Sequence, residues 1–193
     1  MKKHPPTLET DRLVLRPFSI ADSERVKELA GDRKIYETTL NVPHPYDDGM
    51  AEKWISSHLT QFYNGNGVSL AVTLKETGDL IGAIGLGAAR QHKRAELGYW
   101  IGVPFWISGY CTEASRELIK YGFEVLGYHK ITSRHMESNP ASGRVMEKAG
   151  MLKEGRLIDE VVKDDHYHTL IVYGIINREQ CDAPNGYPRH ASF

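Results

Sequence analysis

Hydrophobic and polar residues alternate in several short stretches of the chain, a pattern that is typical of half-buried β-strands. Residues 12–16 alternate charged and apolar side chains, and Pro17 ends the run because proline has no N–H to donate to a neighbouring strand. Further apolar runs predict strands over residues 68–74, 80–87, 94–101, 128–136, 155–163 and 167–176. A glycine-containing turn at 75–79 and an Asp-Asp turn at 164–165 connect two pairs of these strands.

A second periodicity, of about 3.6 residues, predicts helices. They run from a cap at Ser19 to about Leu29, from Met50 to the glycines after Asn64, from Thr112 to about Leu126, and over 140–149. The later part of the chain has a run of strands and then the order strand–helix–strand–helix–strand. This order predicts one domain of α/β (α+β) type, a mixed sheet with helices on its faces. The tail, rich in proline and glycine, is expected to be disordered.

The composition narrows the classes of partner. The 193 residues contain 24 Lys plus Arg and 25 Asp plus Glu, so no global basic field favours nucleic acid or a membrane surface. The two cysteines, Cys111 and Cys181, lie in unlike contexts, which argues against a disulfide framework and fits a reducing compartment. No apolar run has the length of a signal peptide or membrane span, so the expected location is the cytoplasm.

The most informative segment joins the strand at 94–101 to the helix that follows it. A strand, a loop and a helix in this order direct free backbone N–H groups and the positive end of the helix at one point, where a phosphate can bind. Gly109 allows a close approach to a ligand or a positive φ, and Thr112 is placed to cap the helix or to donate its hydroxyl. Spacing alone is equally compatible with an ordinary strand-to-helix turn that binds no ligand. The segment has neither a Walker motif nor a G-x-G-x-x-G fingerprint.

The chain resembles the GNAT acetyltransferase superfamily, and within it the branch of the RimJ and RimL protein N-terminal acetyltransferases. The segments that carry the resemblance lie in the family's order: Thr10–Pro17, Pro45-Tyr46 with Trp54-Ile55, Glu96–Ile101, Trp106 with Gly109-Tyr110 and Thr112–Ala114, Asn139–Gly150, and Tyr167-His168 with Tyr173. They imply a GNAT domain over about residues 7–180 and a tail over 181–193.

The resemblance implies a mostly antiparallel sheet that splays at the family's fourth and fifth strands, with acetyl-CoA as co-substrate in the gap. The implied cofactor-binding residues are Tyr99, Trp100, Ile101, Ile107, Ser108, Gly109, Tyr110, Cys111, Thr112, Asn139, Ser142 and Arg144. The loop departs from the family's Gln/Arg-x-x-Gly-x-Gly/Ala pattern. Trp106 occupies the first position, Ile107 and Ser108 replace the usual Gly-Lys, and Cys111 replaces the small last residue.

Three residues are candidates for the catalytic steps. Glu96 is the first candidate for a base that accepts a proton from the amine, directly or through water, and its alternative role is a surface residue paired with Arg94 or Lys93. Glu160 is the second candidate. Many relatives protonate the departing thiolate with a tyrosine at the position of Met146, which cannot donate. Ser142 is therefore the expected thiolate partner, its alternative role being a helix-start serine that bonds the backbone.

The resemblance predicts transfer of an acetyl group to a primary amine by direct attack. A protein or peptide α-amine, with a pKa of about 8, needs less help from a base than a lysine near 10.4. His44 and Tyr46 lie in the loop that borders the acceptor in relatives.

The alternatives are a small-molecule amine, such as a polyamine, amino acid or antibiotic, and a non-catalytic acyl-CoA-binding regulatory module. A wide cleft favours a peptide, and a closed acidic pocket favours a small amine. His166 and His168 share a strand face, but no metal is expected because no third ligand is evident. A homodimer is the assembly that the resemblance suggests.

Overall fold

The computed structural model describes residues 4–178, so the predicted tail lies outside the described residues. The strands are β1 Leu8–Glu9, β2 Leu13–Arg16, β3 Gly67–Leu74, β4 Leu80–Ala89, β5 Arg94–Ile101, β6 Lys130–Met136, β7 Leu152–Lys163 and β8 His166–Ile176. The helices are α1 Ser23–Ala30, α2 Arg33–Thr38, α3 Met50–Asn64, α4 Tyr110–Glu124 and α5 Pro140–Lys148. The predicted α/β (α+β) class is confirmed.

All the described strands form one sheet in the order β1-β2-β3-β4-β5-β6-β8-β7. Within residues 4–178 every neighbouring pair is antiparallel except β5 and β6, which run parallel. Because β1 precedes the family's opening strand, the pair expected to splay is β5 and β6 in this numbering. None of the described helices combines the length and the apolar character that crossing a membrane requires.

Three local features differ from the sequence prediction. Strand β1 has only two residues and α2 only six, so each contains fewer than two periods of its pattern, and neither was predicted. Helix α4 begins at Tyr110 rather than at Thr112, because Gly109 takes a left-handed φ of 81° at the N-cap position. The expected capping role of Thr112 is therefore wrong.

The two faces of the sheet carry different cores. Successive strand residues point to opposite faces, so Ile84 and Leu97 pack with Leu118 of α4, whereas Ala83 and Trp100 pack with α1, α2 and α3. Helices α4 and α5 thus cover one face, and α1, α2 and α3 cover the other. Alternate residues of each strand point to alternate faces and so belong to different cores.

His58 of α3 is a buried polar side chain with an apolar environment. Its ring is 9% exposed and lies 4.4 Å from the Trp54 ring and 5.2 Å from the Phe18 ring, measured between centroids. Neither ring nitrogen has a hydrogen-bond partner among the described residues. Burial lowers the pKa of His58 from 6.5 to about 4, because the charged ring would lose its hydration.

His58 should therefore make folding sensitive to acid. Between pH 6.5 and about pH 4 His58 binds a proton in the unfolded chain but not in the folded chain. The free energy of unfolding should therefore fall as pH falls. The loss should be about 1.4 kcal/mol per pH unit, and at most about 3 kcal/mol in total. Urea unfolding should show that the free energy of unfolding of His58→Leu falls less steeply with decreasing pH in this range than that of the wild type. The exposed His129→Leu should keep the wild-type slope, and equal slopes in all three proteins would contradict this role.

Candidate active site

Strands β5 and β6 pair over a short distance and then separate. Their register holds for Arg94 with Lys130, Ala95 with Ile131 and Glu96 with Thr132, and then it stops. Strand β5 stays paired with β4 on its other side as far as Ile101. The second half of β5 therefore has one edge without a neighbouring strand.

The carbonyls on this free edge show which backbone groups face the gap. The Leu97 carbonyl accepts a bond of 2.8 Å from the Ser133 hydroxyl of β6, and the Ile101 carbonyl accepts one of 2.6 Å from the Trp106 indole. Since backbone direction alternates along a strand, the N–H and C=O of Tyr99 face the same gap. A ligand with amide groups can satisfy them as a strand would.

The loop after β5 presents backbone donors. Ile107 and Gly109 have φ values of 66° and 81°, and the Ile107 side chain is fully exposed. Among residues 4–178 no acceptor bonds the backbone N–H groups of residues 107–112. They surround the N-terminus of the 15-residue helix α4, where the helix dipole adds positive potential. This end of the site fits a pyrophosphate.

A brace that sequence reasoning missed holds this loop. The Arg12 side chain donates to Glu113 of α4 at 2.8 Å and to the Ser108 carbonyl at 3.0 Å. Its guanidinium also lies 4.6 Å from the centre of the Tyr110 ring. Burial opposes ionisation of Glu113 most strongly, but hydrogen bonds from Thr10 and Arg12 hold the pKa of Glu113 below its ordinary value. Arg12 and Glu113 lie in two of the motif segments, but 101 residues apart, so their contact had no local signal.

A cleft of about 1040 Å³ opens on the face of the sheet that α3 covers. Gly85 and Gly87 of β4 and Gly98 of β5 line it, so no side chain fills the space above these strands. Residues 38–43 and α3 form its walls, and Ser142 of α5 lines it at the gap between the strands. The cleft therefore connects the free edge of β5 to an open face.

Glu96 lies on the strand face that lines the cleft. It is ion-paired with Arg134 of β6, Oε1 to Nε at 2.8 Å, and with neither of the partners expected from sequence. The pair bridges the two strands next to the last register position, Glu96 with Thr132, where the gap begins. A carboxylate at this point can accept a proton from a group in the cleft.

Ser142 and Tyr99 form a hydrogen-bonded pair across the gap. The Tyr99 hydroxyl lies 2.9 Å from the Ser142 hydroxyl and donates to the Ser142 carbonyl at 3.0 Å. Burial raises the pKa of Tyr99 far above its ordinary value, so this hydroxyl stays protonated. Met146, at the position of the relatives' tyrosine, is buried and lines the cleft.

Asn139 uses its side chain within the protein. Its oxygen accepts from the Ser142 N–H at 3.3 Å as the cap of α5, and its nitrogen donates to the Thr38 carbonyl at 3.1 Å. It therefore ties α5 to the end of α2. Arg144, on the next turn of α5, is exposed.

The other predicted residues divide into those at the cleft and those away from it. Tyr46 lines the cleft, whereas His44 is exposed beside the Tyr36 ring, 5.6 Å between centroids. Glu160 is exposed in an irregular stretch of β7 and does not line the cleft.

Two side chains near the loop have structural roles. Burial raises the pKa of Cys111 to about 12, so its thiol stays protonated and packs against its neighbours. Trp106 is 38% exposed, and its indole N–H donates to the Ile101 carbonyl.

A second contact that sequence reasoning missed closes the end of the domain near α2. Lys163 donates to the Thr39 carbonyl at 2.8 Å and to the Tyr36 carbonyl, and the Tyr36 hydroxyl donates to Asp164. The turn at 164–165 was predicted, but its partner helix α2 was not. Within the described residues, no group of three or more His, Cys, Asp or Glu side chains could hold a metal ion.

Comparisons with known proteins agree with this geometry. A family model described as "Acetyltransferase (GNAT) domain" matches residues 12–152. The chain is 30% identical over 172 residues to "Uncharacterized N-acetyltransferase YoaA" of Bacillus subtilis (strain 168), which covers 89% of this chain and 97% of that protein. It is 30% identical over 173 residues to "Putative ribosomal N-acetyltransferase YdaF" of the same organism, covering 88% and 93%.

The fold is also that of a solved relative. The structure of RimL, described as a ribosomal L7/L12 alpha-N-protein acetyltransferase in complex with coenzyme A, superposes with a TM-score of 0.80 and covers 89% of this chain and 98% of its own, at 15% identity. The family expected from the sequence, with its RimJ/RimL-like resemblance, is confirmed. The chain belongs to the GNAT family of acetyl-CoA-dependent N-acetyltransferases.

Proposed function

We propose that the acceptor is the α-amine of a peptide or protein N-terminus. The observation that carries the proposal is the open cleft of about 1040 Å³, whose only carboxylate among the described lining residues, Glu96, already pairs with Arg134. A polyamine would need several free carboxylates, whereas an extended peptide needs room and backbone partners. The similarity to YdaF, described as a ribosomal N-acetyltransferase, and to RimL, described as an alpha-N-protein acetyltransferase, supports the same choice.

The cofactor would be held by backbone groups. The N–H groups of residues 107–112 would bind its pyrophosphate, and the free edge at Tyr99 and Ile101 would pair with its pantetheine amides. Asn139, at the cap of α5, and the exposed Arg144 are the further residues of α5 that the resemblance assigns to the cofactor.

Glu96 would serve as the base, held beside the gap by its ion pair with Arg134. A single carboxylate suits an acceptor whose amine is already partly neutral near pH 7, because little further deprotonation is needed. A peptide α-amine meets this condition better than a lysine side chain does. Glu160 lies outside the cleft wall and is the weaker candidate. A Glu96→Gln variant with an unaltered pH–rate profile would remove Glu96 from this role.

Ser142 would donate a hydrogen bond to the departing thiolate. Its hydroxyl lines the cleft, and Tyr99 bonds both this hydroxyl and the Ser142 carbonyl. While Tyr99 donates to the carbonyl, the Ser142 hydroxyl donates to the Tyr99 oxygen, and the same hydrogen can turn to the thiolate when it forms. Tyr99 would therefore act as a positioning residue that fixes the orientation of Ser142.

The acceptor assignment can be tested by thiol release from acetyl-CoA with three sets of amines: peptides with free N-termini, polyamines, and amino acids or antibiotics. We expect kcat/KM to be highest for the peptides, with mass spectrometry locating the acetyl group on the α-nitrogen. The same peptides with blocked N-termini and a free lysine are the control. A higher kcat/KM with any small amine would overturn the proposal.

Loss of the brace should weaken cofactor binding. Arg12→Ala removes the contact to the Ser108 carbonyl and leaves the Glu113 carboxylate unneutralised beside the phosphate loop. We expect KM for acetyl-CoA to rise about tenfold and kcat to change less than about twofold, since the loop is no longer pre-organised. Arg33→Ala, which removes an exposed ion pair with Glu37 on α2, is the matched control. An equal KM in both variants would exclude the brace.

Ser142→Ala should lower kcat about 10- to 100-fold with little change in KM for acetyl-CoA, because the lost hydrogen bond acts on the leaving group. Tyr99→Phe should lower kcat less in the wild type and not at all in the Ser142→Ala background, as expected for a residue that acts through Ser142. Ser138→Ala, at an exposed serine just before α5, should have no effect. Unchanged turnover in Ser142→Ala would remove Ser142 from the mechanism.

A further inference from the structure

The acceptor cleft concentrates positive charge, although the chain as a whole has a formal net charge of −1. Of the residues that the structure describes, three cationic side chains line it, Lys53 of α3, Arg94 of β5 and Arg134 of β6, against the single carboxylate of Glu96. The cations come from three separate elements, so their convergence is a property of the fold. The net charge of the cleft lining is thus positive, whereas that of the whole chain is slightly negative.

Two of these cations are not neutralised within the protein. Arg134 is paired with Glu96, but neither Lys53 nor Arg94 has an ion pair or a side-chain hydrogen bond with any of residues 4–178. Both are exposed, and both belong to surfaces that face the cleft. Lys53 shares a helix face with Met50, Trp54 and Ser57, and all four line the cleft.

The phosphates of the cofactor do not account for this charge. Arg94 is the first residue of β5, and the phosphate loop begins after Ile101, the last residue of that strand. At about 3.3 Å per residue, the two ends of β5 lie roughly 20 Å apart. Arg94 is therefore at the end of the cleft away from the pyrophosphate, beside Glu96, and Lys53 lies on the α3 wall of the same cleft.

We propose that the preferred acceptors carry negative charge close to the amine: N-terminal peptides with an acidic side chain at the second or third position. Arg94 and Glu96 lie two residues apart on one face of β5, which is about 7 Å. An amine at Glu96 would place an acidic side chain one or two residues along an extended peptide within reach of Arg94 or Lys53. The inference rests on the proposed function, because it concerns the same site.

The test compares peptides that differ only in charge. Peptides of one length begin with the same residue and carry two Asp, two Asn or two Lys at the second and third positions. We expect kcat/KM in the order Asp, Asn, Lys, with about a tenfold difference between the Asp and Lys peptides. The difference should shrink as salt is raised, because the charges are exposed.

Variants test whether Lys53 and Arg94 cause the preference for acidic peptides. Lys53→Gln with Arg94→Gln should bring the Asp and Lys peptides to within about twofold of each other. Lys93→Gln is the matched control, since it removes the same type of charge one residue before Arg94, at an exposed side chain that does not line the cleft. It should leave the tenfold difference in place.

The outcomes separate this inference from the proposed function. Equal rates for the Asp and Lys peptides, or faster acetylation of the Lys peptide, would overturn the charge inference while peptide acetylation stands. If no peptide is acetylated, the proposed function fails. Glutamate and spermidine as acceptors then test the charge inference by itself, and a higher rate with spermidine would overturn it.

Discussion

The separation of β5 from β6 after Glu96 and Thr132 is the constraint on which the rest of the site depends. A sheet edge within a domain leaves donors and acceptors unpaired, and such groups are costly unless something satisfies them. Here the protein itself meets the Leu97 and Ile101 carbonyls through Ser133 and Trp106, while the groups of Tyr99 remain for a ligand. The gap thus offers main-chain groups with which a ligand can pair.

The remainder of the domain holds the two sides of this gap in place. Arg12 connects the start of β2 to Glu113 and Ser108, so the phosphate loop is fixed to the sheet. Asn139 connects α5 to the end of α2. These contacts are few, polar and long-range, and they surround a core that is otherwise built from aliphatic packing. Removing one of them should disturb the site more than it disturbs the fold.

The two faces of the sheet carry different parts of the candidate site. Helices α4 and α5 occupy one face and supply the phosphate loop and Ser142, whereas glycines at 85, 87 and 98 leave the other face open for the acceptor. Charge follows the same division, because Arg94, Glu96 and Arg134 point to the open face. The cofactor and the amine can therefore approach the gap without competing for the same surface.

The sequence by itself determined the family, the α/β (α+β) class and most of the strands and helices, and it predicts a phosphate site in the segment that follows β5. These depend on local periodicity, on glycine and on motif order, all of which can be read along the chain. Only the tertiary structure decided that Glu96 pairs with Arg134, that Tyr99 holds Ser142, that Arg12 braces the loop, and that three cations meet in one cleft. Such contacts join residues tens of positions apart, and no local pattern encodes them, because their distances are set by the packing of the whole sheet against its helices.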